Sequence, residues 1–371
     1  SVAGCRRHFW YPSGDVALAT APRSMTTSLT ITELLGDGIG PELRACVHAV
    51  ADRLPIDIRF EPVDLSLENR RRCGPELYET TESALRATRL GLKYPTVTET
   101  ESPNAVLRRA LDFTVIHRPV ISIDGIQSNF SQEVFLHVVR VATGGTYEDP
   151  GRRVGRDAAV SLRIVERGPC REAARFAFEL ARGKQLTVTS SSKHTIQRVT
   201  DGFFEEVVRG VASGYPDVDH RVELFDALLA KIILKPSDFG IVLCLNEYGD
   251  FLSDMACGLV GSLGIGASGS YSFLESGASN VAMFDPAGGT APDIAGQDKC
   301  NPSAAFLAFG MLLDHVDRYD LGHVLRMSLL ACIAVRVSTV DIGGTLGTTA
   351  FTDAVLTQLD ERLPARTSIE A

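Results

Sequence analysis

Asp250 and Asp254 lie four residues apart in residues 246–259, Asn-Glu-Tyr-Gly-Asp-Phe-Leu-Ser-Asp-Met-Ala-Cys-Gly-Leu. The small and apolar residues of this stretch suit a helix opening from a turn. On a helix that spacing puts both carboxylates on one face, about 6 Å apart at the β-carbons. Together they can offer hard oxygen ligands to one divalent cation. The plain alternative is a solvated acidic face, the common setting of a carboxylate pair on a surface helix. The preceding segment argues against it, because residues 238–245, Asp-Phe-Gly-Ile-Val-Leu-Cys-Leu, are nearly all apolar and of strand length. A buried strand there delivers the aspartates just beyond its carboxyl end, where open α/β sheets place their sites.

The whole chain can support such a sheet. Its 371 residues exceed the size at which one core stops growing, so two domains or one elaborated one are expected. Hydrophobic content of 44% with 22% charged residues fits a globular protein, and no apolar run is long enough for a membrane span. A net charge of −9 argues against a nucleic-acid partner, since general binding to that polyanion needs cationic surface. Arg70, Arg71 and Arg72 form a tight basic cluster that reads as a solvated loop. The cysteines are scattered with no Cys-x-x-Cys, which reads as reduced core thiols and not a disulfide frame or zinc site. Residues 1–24 hold Arg6, Arg7 and Arg23 against the single acid Asp15, a composition suited to a mitochondrial presequence remnant or an N-terminal extension.

Residues 29–35 read as a strand running into Gly36-Asp37-Gly38-Ile39-Gly40-Pro41-Glu42 and then a helix through Arg53. This is not the dinucleotide fingerprint, whose glycines are spaced differently. A helical pattern follows over residues 80–92, two apolar helices over 302–340, and a last helix over 351–363.

The stretch 246–259 resembles the Asn-Leu-Tyr-Gly-Asp-Ile-Leu-Ser-Asp-x-x-x-Gly-Leu signature of the β-decarboxylating dehydrogenases: the isocitrate, isopropylmalate and homoisocitrate dehydrogenases. The resemblance runs from about residue 25 to the last helix, and Gly-Asp-Gly-Ile-Gly-Pro-Glu belongs to it. It implies an α/β, isocitrate/isopropylmalate dehydrogenase-like two-domain fold with an inserted smaller domain and a dimer clasp. The large domain would comprise residues 25–118 and 261–363, the small one residues 119–260 with the clasp near 147–166, and residues 364–371 a tail.

On the substrate side, Ser102, Asn104 and Arg108 match the family's Ser-x-Asn-x-x-Leu-Arg, and Arg118 and Arg140 match its next two arginines. Three guanidiniums, each able to fork onto a carboxylate, suit a tricarboxylate such as isocitrate or citrate, with homoisocitrate as the alternative. The resemblance makes Tyr147 the acid that reprotonates the enolate carbon. It makes Lys193 the general base and Asp226 a third metal ligand, both lent across a dimer, so that Asp226, Asp250 and Asp254 would hold Mg2+ or Mn2+.

On the cofactor side the implied residues are Thr98, Gly289, Thr290, Asp293 and Asn301, and Asp293 would favour NAD over NADP. Here the chain departs from the family. The glycine-rich loop after Thr98 is shortened to Glu99-Thr100-Glu101, Val141 and Ala142 replace a Glu-Asn pair, and Gly288 replaces a histidine. Nearby, Asp285 replaces a glutamate, Ser192 a histidine, Thr195 an asparagine, and Ala227 the asparagine after Asp226. The expectation is therefore a family subunit with weak or absent NAD binding, regulatory or structural, within a homo- or hetero-oligomer or larger assembly of the mitochondrial matrix. The alternative is an active NAD-dependent isocitrate dehydrogenase.

Overall fold

The computed structural model describes residues 28–363. The expected extension, 1–24, and tail, 364–371, lie outside the described residues. The chain opens with β1 (Ser28–Leu35), α1 (Gly40–Ala51), β2 (Asp57–Asp64), α2 (Leu67–Cys73), α3 (Glu76–Thr88), β3 (Leu90–Lys93), α4 (Pro103–Ala110) and β4 (Val115–Ile121). It continues with β5 (Phe135–Val141), β6 (Arg152–Val154), β7 (Ala158–Val160), α5 (Arg167–Lys184), β8 (Val188–Ser192), α6 (Thr200–Ala212), β9 (His220–Leu224), α7 (Phe225–Leu234), β10 (Ile241–Cys244) and α8 (Asn246–Val260). It closes with β11 (Ala267–Phe273), β12 (Ser279–Pro286), α9 (Ser303–His315), α10 (Tyr319–Ala334) and α11 (Thr348–Arg362).

Ten strands form one sheet in the order β2-β1-β3-β12-β11-β4-β5-β10-β8-β9. The strands β5, β10, β8 and β9 are mutually parallel, so their carboxyl ends share one edge. The segments expected to form two domains meet in this one sheet along β4 and β5, which pair antiparallel over Val115↔Val141 to Ile121↔Phe135. β10 is buried at all its positions and α9 along almost its whole length, as the continuous apolar runs of both require.

Two local expectations are corrected. The pattern over 80–92 is not one helix. Arg89 adopts a left-handed conformation and donates its N–H to Leu85 O, ending α3, and the apolar Leu-Gly-Leu-Lys that follows pairs with β1 and β12 as β3. The basic trio is not a solvated loop either. It lies on α2, where nearly buried Arg70 donates to Leu65 O at 2.9 Å and Val97 O at 2.6 Å.

The clasp segment leaves the main sheet. β6 and β7 pair only with each other, three residues each, and their alternating neighbours Leu162 and Ile164 remain exposed. An arm this short has little stability of its own. Its base is fixed by the bridge between Gly145 and Ile164 and by Arg163, which pairs with Glu247 at 2.7 Å and Asp201 at 3.2 Å.

Inside the sheet, His117 of β4 and His137 of β5 share a 2.9 Å hydrogen bond and are buried. Burial, reinforced by the Lys184 charge, pushes His117 down to about 3 and His137 well below the ordinary value. Between the folded value and the unfolded value of roughly 6.5, the unfolded chain binds more protons, so stability should fall as pH drops below that value. Thermal unfolding should show a lower midpoint at pH near 5 than near 7.5, and a His117→Leu/His137→Leu double variant should flatten that acid limb. An acid limb unchanged in the variant would rule the pair out as its source.

Candidate functional site

The site grows from the turn between β10 and α8. Cys244, the last residue of β10, pairs with Arg140 of β5, so the first turn of α8 is laid over the Arg140 side chain. Gly249 permits that approach, because a Cβ there would come within 2.7 Å of Arg140 Cβ. Arg140 is only 2% exposed; its Nε donates to Asn246 Oδ1 at 2.8 Å, and its guanidinium also bonds Asp250. From β4, Arg118 Nη1 reaches Asp254 at 2.8 Å, Ser253 Oγ at 2.9 Å and Asp250 at 3.6 Å. Tyr147 Oη donates to the other oxygen of Asp250 at 3.1 Å.

Arg108, on α4, completes the trio. Burial lowers its pKa, the nearby Arg118 charge adds to that, and Asp285 and Asp250 oppose it. Arg140 is pushed down to about 10, first by burial and then by Arg108, with Asp250 opposing. The three cations therefore repel one another in a partly dry setting, which an arriving polyanion would relieve.

Asp250 and Asp254 are hard oxygen donors held together by Arg118, so their chemistry fits part of a Mg2+ or Mn2+ shell. Among the described residues no group of three His, Cys, Asp or Glu side chains gathers to hold a metal. Asp226 instead opens α7 beyond β9 and pairs with Lys193 Nζ at 2.6 Å, which lowers the Asp226 pKa. This second cluster stands on the same sheet edge, past the ends of β8 and β9.

The cofactor-side residues occupy other loops. Thr98 is exposed; Glu99 and Glu101, the acids of the shortened loop, are paired with Arg71 and Arg109. Ser102 and Asn104, expected on the substrate side, lie nearby: Ser102 precedes α4 with no capping bond from its side chain, and Asn104 Oδ1 is buried without a hydrogen-bond partner. Gly289 and Asp293 are exposed. The Thr290 carbonyl accepts from Ile39 N at 2.9 Å, so tightly against Gly38 that a Cβ there would clash. Glu42 accepts from Gly296 N at 2.7 Å and Asp298 N at 3.1 Å, pinning this loop to α1. Asn301 Nδ2 is engaged with Asp341 at 2.9 Å.

Sequence reasoning gave no role to Lys93 and Asp285. Lys93 Nζ is buried, donates to Tyr94 O at 3.0 Å and Thr96 Oγ1 at 3.1 Å, and is pushed down to about 8 by burial, with Asp285 opposing. Asp285 is pushed up by burial, with Lys93, Arg118 and Arg108 opposing. A lysine ending the otherwise apolar Leu-Gly-Leu-Lys was the available signal.

Residues 30–355 match the isocitrate/isopropylmalate dehydrogenase family. The chain is 32% identical over 332 residues to the mitochondrial isocitrate dehydrogenase [NAD] subunit alpha of Sus scrofa, covering 88% of this chain and 89% of that one. It is 32% identical over 350 residues to the mitochondrial isocitrate dehydrogenase [NAD] subunit 2 of Kluyveromyces lactis, covering 91% and 92%. The crystal structure of isocitrate dehydrogenase from Methylococcus capsulatus superposes with a TM-score of 0.83 at 30% identity, over 90% of this chain and 99% of that one. With matching motifs, fold and relatives along nearly its whole described length, this chain belongs to the isocitrate/isopropylmalate dehydrogenase family.

Proposed function

We propose that this chain binds isocitrate or citrate together with Mg2+ or Mn2+. It serves as a subunit of a mitochondrial matrix isocitrate dehydrogenase assembly, with little or no NAD-dependent turnover of its own. The observation that carries the binding half is charge. Arg108, Arg118, Arg140 and Lys93 face Asp250, Asp254 and Asp285, leaving one positive charge in excess. A tricarboxylate with one divalent cation carries a single net negative charge and would balance it.

In this reading Arg108, Arg118 and Arg140 fork onto the carboxylates, with Ser102 and Asn104 beside them. Asp250 and Asp254, with Asp226 of a second copy or related chain, hold the cation. A cation so held would polarise the 2-hydroxyl and stabilise charge as carbon dioxide leaves. In whatever turnover remains, Lys193, lent with Asp226, would take the hydroxyl proton at Nζ, with NAD as the acceptor of the hydride that leaves the same carbon. Tyr147 keeps its own proton, because burial and Asp250 both raise its pKa, and can deliver it to carbon.

The finer claim, weak NAD binding at Thr98, Gly289, Thr290, Asp293 and Asn301, is supported by four departures: the shortened loop after Thr98, Ala142 and Thr195 for asparagines, and Gly288 for a histidine. Each lost hydrogen bond is typically worth about 0.5–1.5 kcal/mol, so several together weaken NAD by roughly two to four powers of ten.

Calorimetry should detect isocitrate or citrate binding in the presence of Mn2+. Arg118→Ala, removing a charge-assisted carboxylate partner worth about 1.5–3 kcal/mol, should weaken it roughly 10- to 100-fold. No heat with millimolar ligand would contradict the binding half. Absorbance at the NADH band, with isocitrate, Mn2+ and NAD into the millimolar range, should show reduction far slower than a family enzyme's. Ordinary turnover saturating at micromolar NAD would instead establish the alternative, an active NAD-dependent isocitrate dehydrogenase.

A further inference from the structure

β8 ends in Ser190, Ser191 and Ser192, all fully buried, a placement that apolar packing does not call for. α6 supplies partners for two of these hydroxyls. Glu205, also fully buried, accepts from Ser190 Oγ and Ser192 Oγ, each at 2.6 Å. Ser190 Oγ lies 3.0 Å from His220 Nε2, and Ser192 Oγ lies 3.3 Å from His194 Nδ1. One turn earlier on α6, fully buried Asp201 accepts the backbone N–H of Lys193 at 2.7 Å. Asp201 is itself held by Tyr248 at 3.1 Å and Arg163 at 3.2 Å.

Burying two carboxylates one turn apart is costly unless both are satisfied, and here both are directed at the end of β8. Lys193 is the next residue, and its amine points to Asp226. Ser192 moreover stands where the family resemblance places a histidine, so the hydroxyl is this chain's own arrangement.

We propose that Glu205 is a positioning residue for Lys193: through the hydroxyls of Ser190 and Ser192 its carboxylate fixes the end of β8 against α6, and so sets how the Lys193 amine is presented. This deepens the reading of Lys193 as a base and rests on it for its function. The groups facing Glu205 are Ser190 and Ser192 of β8, His220 of β9, Cys244 of β10, His194 beyond β8, and Arg209 one turn along α6. Burial raises the Glu205 pKa, while the two serines, His194 and Arg209 lower it. A proton on Glu205 would reverse one of these two hydrogen bonds, turning that serine hydroxyl from donor to acceptor.

The test uses the full chain and the acylation rate of Lys193 by a small amine-reactive reagent at one fixed, mildly alkaline pH, read by peptide mass spectrometry. Lys235, exposed at the end of α7, serves as the reference. Glu205→Gln and Ser192→Ala should each change the Lys193 rate about 3- to 10-fold, leaving Lys235 unchanged. Ser192→Thr, which keeps the hydroxyl, should restore the wild-type rate. Lys193 rates equal to wild type, even with a lowered melting temperature, would reduce Glu205 to a fastening between helix and strand and overturn the proposal. Should Glu205→Gln fail to fold, Ser192→Ala decides the matter. Failure of the base assignment would appear separately, as slow isocitrate-dependent NAD reduction by this chain alone that Lys193→Met leaves unchanged.

Discussion

The buried contact of Arg140 with Asn246 and Asp250 is the constraint on which the site depends. Arg140 is almost wholly removed from water, and an unpaired guanidinium there would cost several kcal/mol. Asn246 and Asp250 supply the pairing from the first turns of α8, so the position of that helix is fixed by the same contact that neutralises the cation. Through Asp250 the contact extends to Tyr147 and Arg118, and through Arg118 to Asp254. Asn246 also donates to Gly144 O at 3.0 Å, holding the loop that carries Tyr147.

Sheet topology explains why the remaining chemistry gathers where it does. Four parallel strands end on one edge, and each is followed within a few positions by a candidate site residue: Arg140 at the end of β5, Lys193 after β8, Asp226 after β9 and Asp250 after β10. The edge nevertheless carries two groups of residues. Arg118 and Arg140 satisfy Asp250 and Asp254, while Lys193 satisfies Asp226. On the proposed reading, a second chain brings its Lys193 and Asp226 to the first group, and the exposed arm of β6 and β7 has a partner to lie against.

Much of this was legible in the sequence where a motif and an apolar period coincide. The run before Asn246 gives β10, the four-residue spacing gives the shared face of α8, and the arginines picked out by the motifs lie near one another. What was not legible depends on contacts between distant segments. The end of α3 turns on Arg89 adopting a left-handed conformation, and nothing in the composition of residues 80–92 marks that residue. Arg70 looked like part of a solvated cluster because its partners, Leu65 O and Val97 O, are backbone atoms that only the fold brings near. The Lys93–Asp285 pair was hidden because the two residues end strands, β3 and β12, whose pairing joins segments far apart in the chain.

On the proposed reading, the loop of residues 287–298 can keep its place in the fold while affinity for NAD falls. Residues 287–298 are held to α1 mainly by backbone groups: Thr290 O with Ile39 N, and Gly296 N and Asp298 N with Glu42. None of these bonds involves Gly288, so that position can differ from the family's histidine without loosening the loop. At α4 the contact is instead between side chains, Glu101 with Arg109 beside the shortened loop. The substrate and metal side is different, because Arg140, Asp250 and Asn246 are both site and scaffold. Loss there would leave the buried Arg140 charge without a partner.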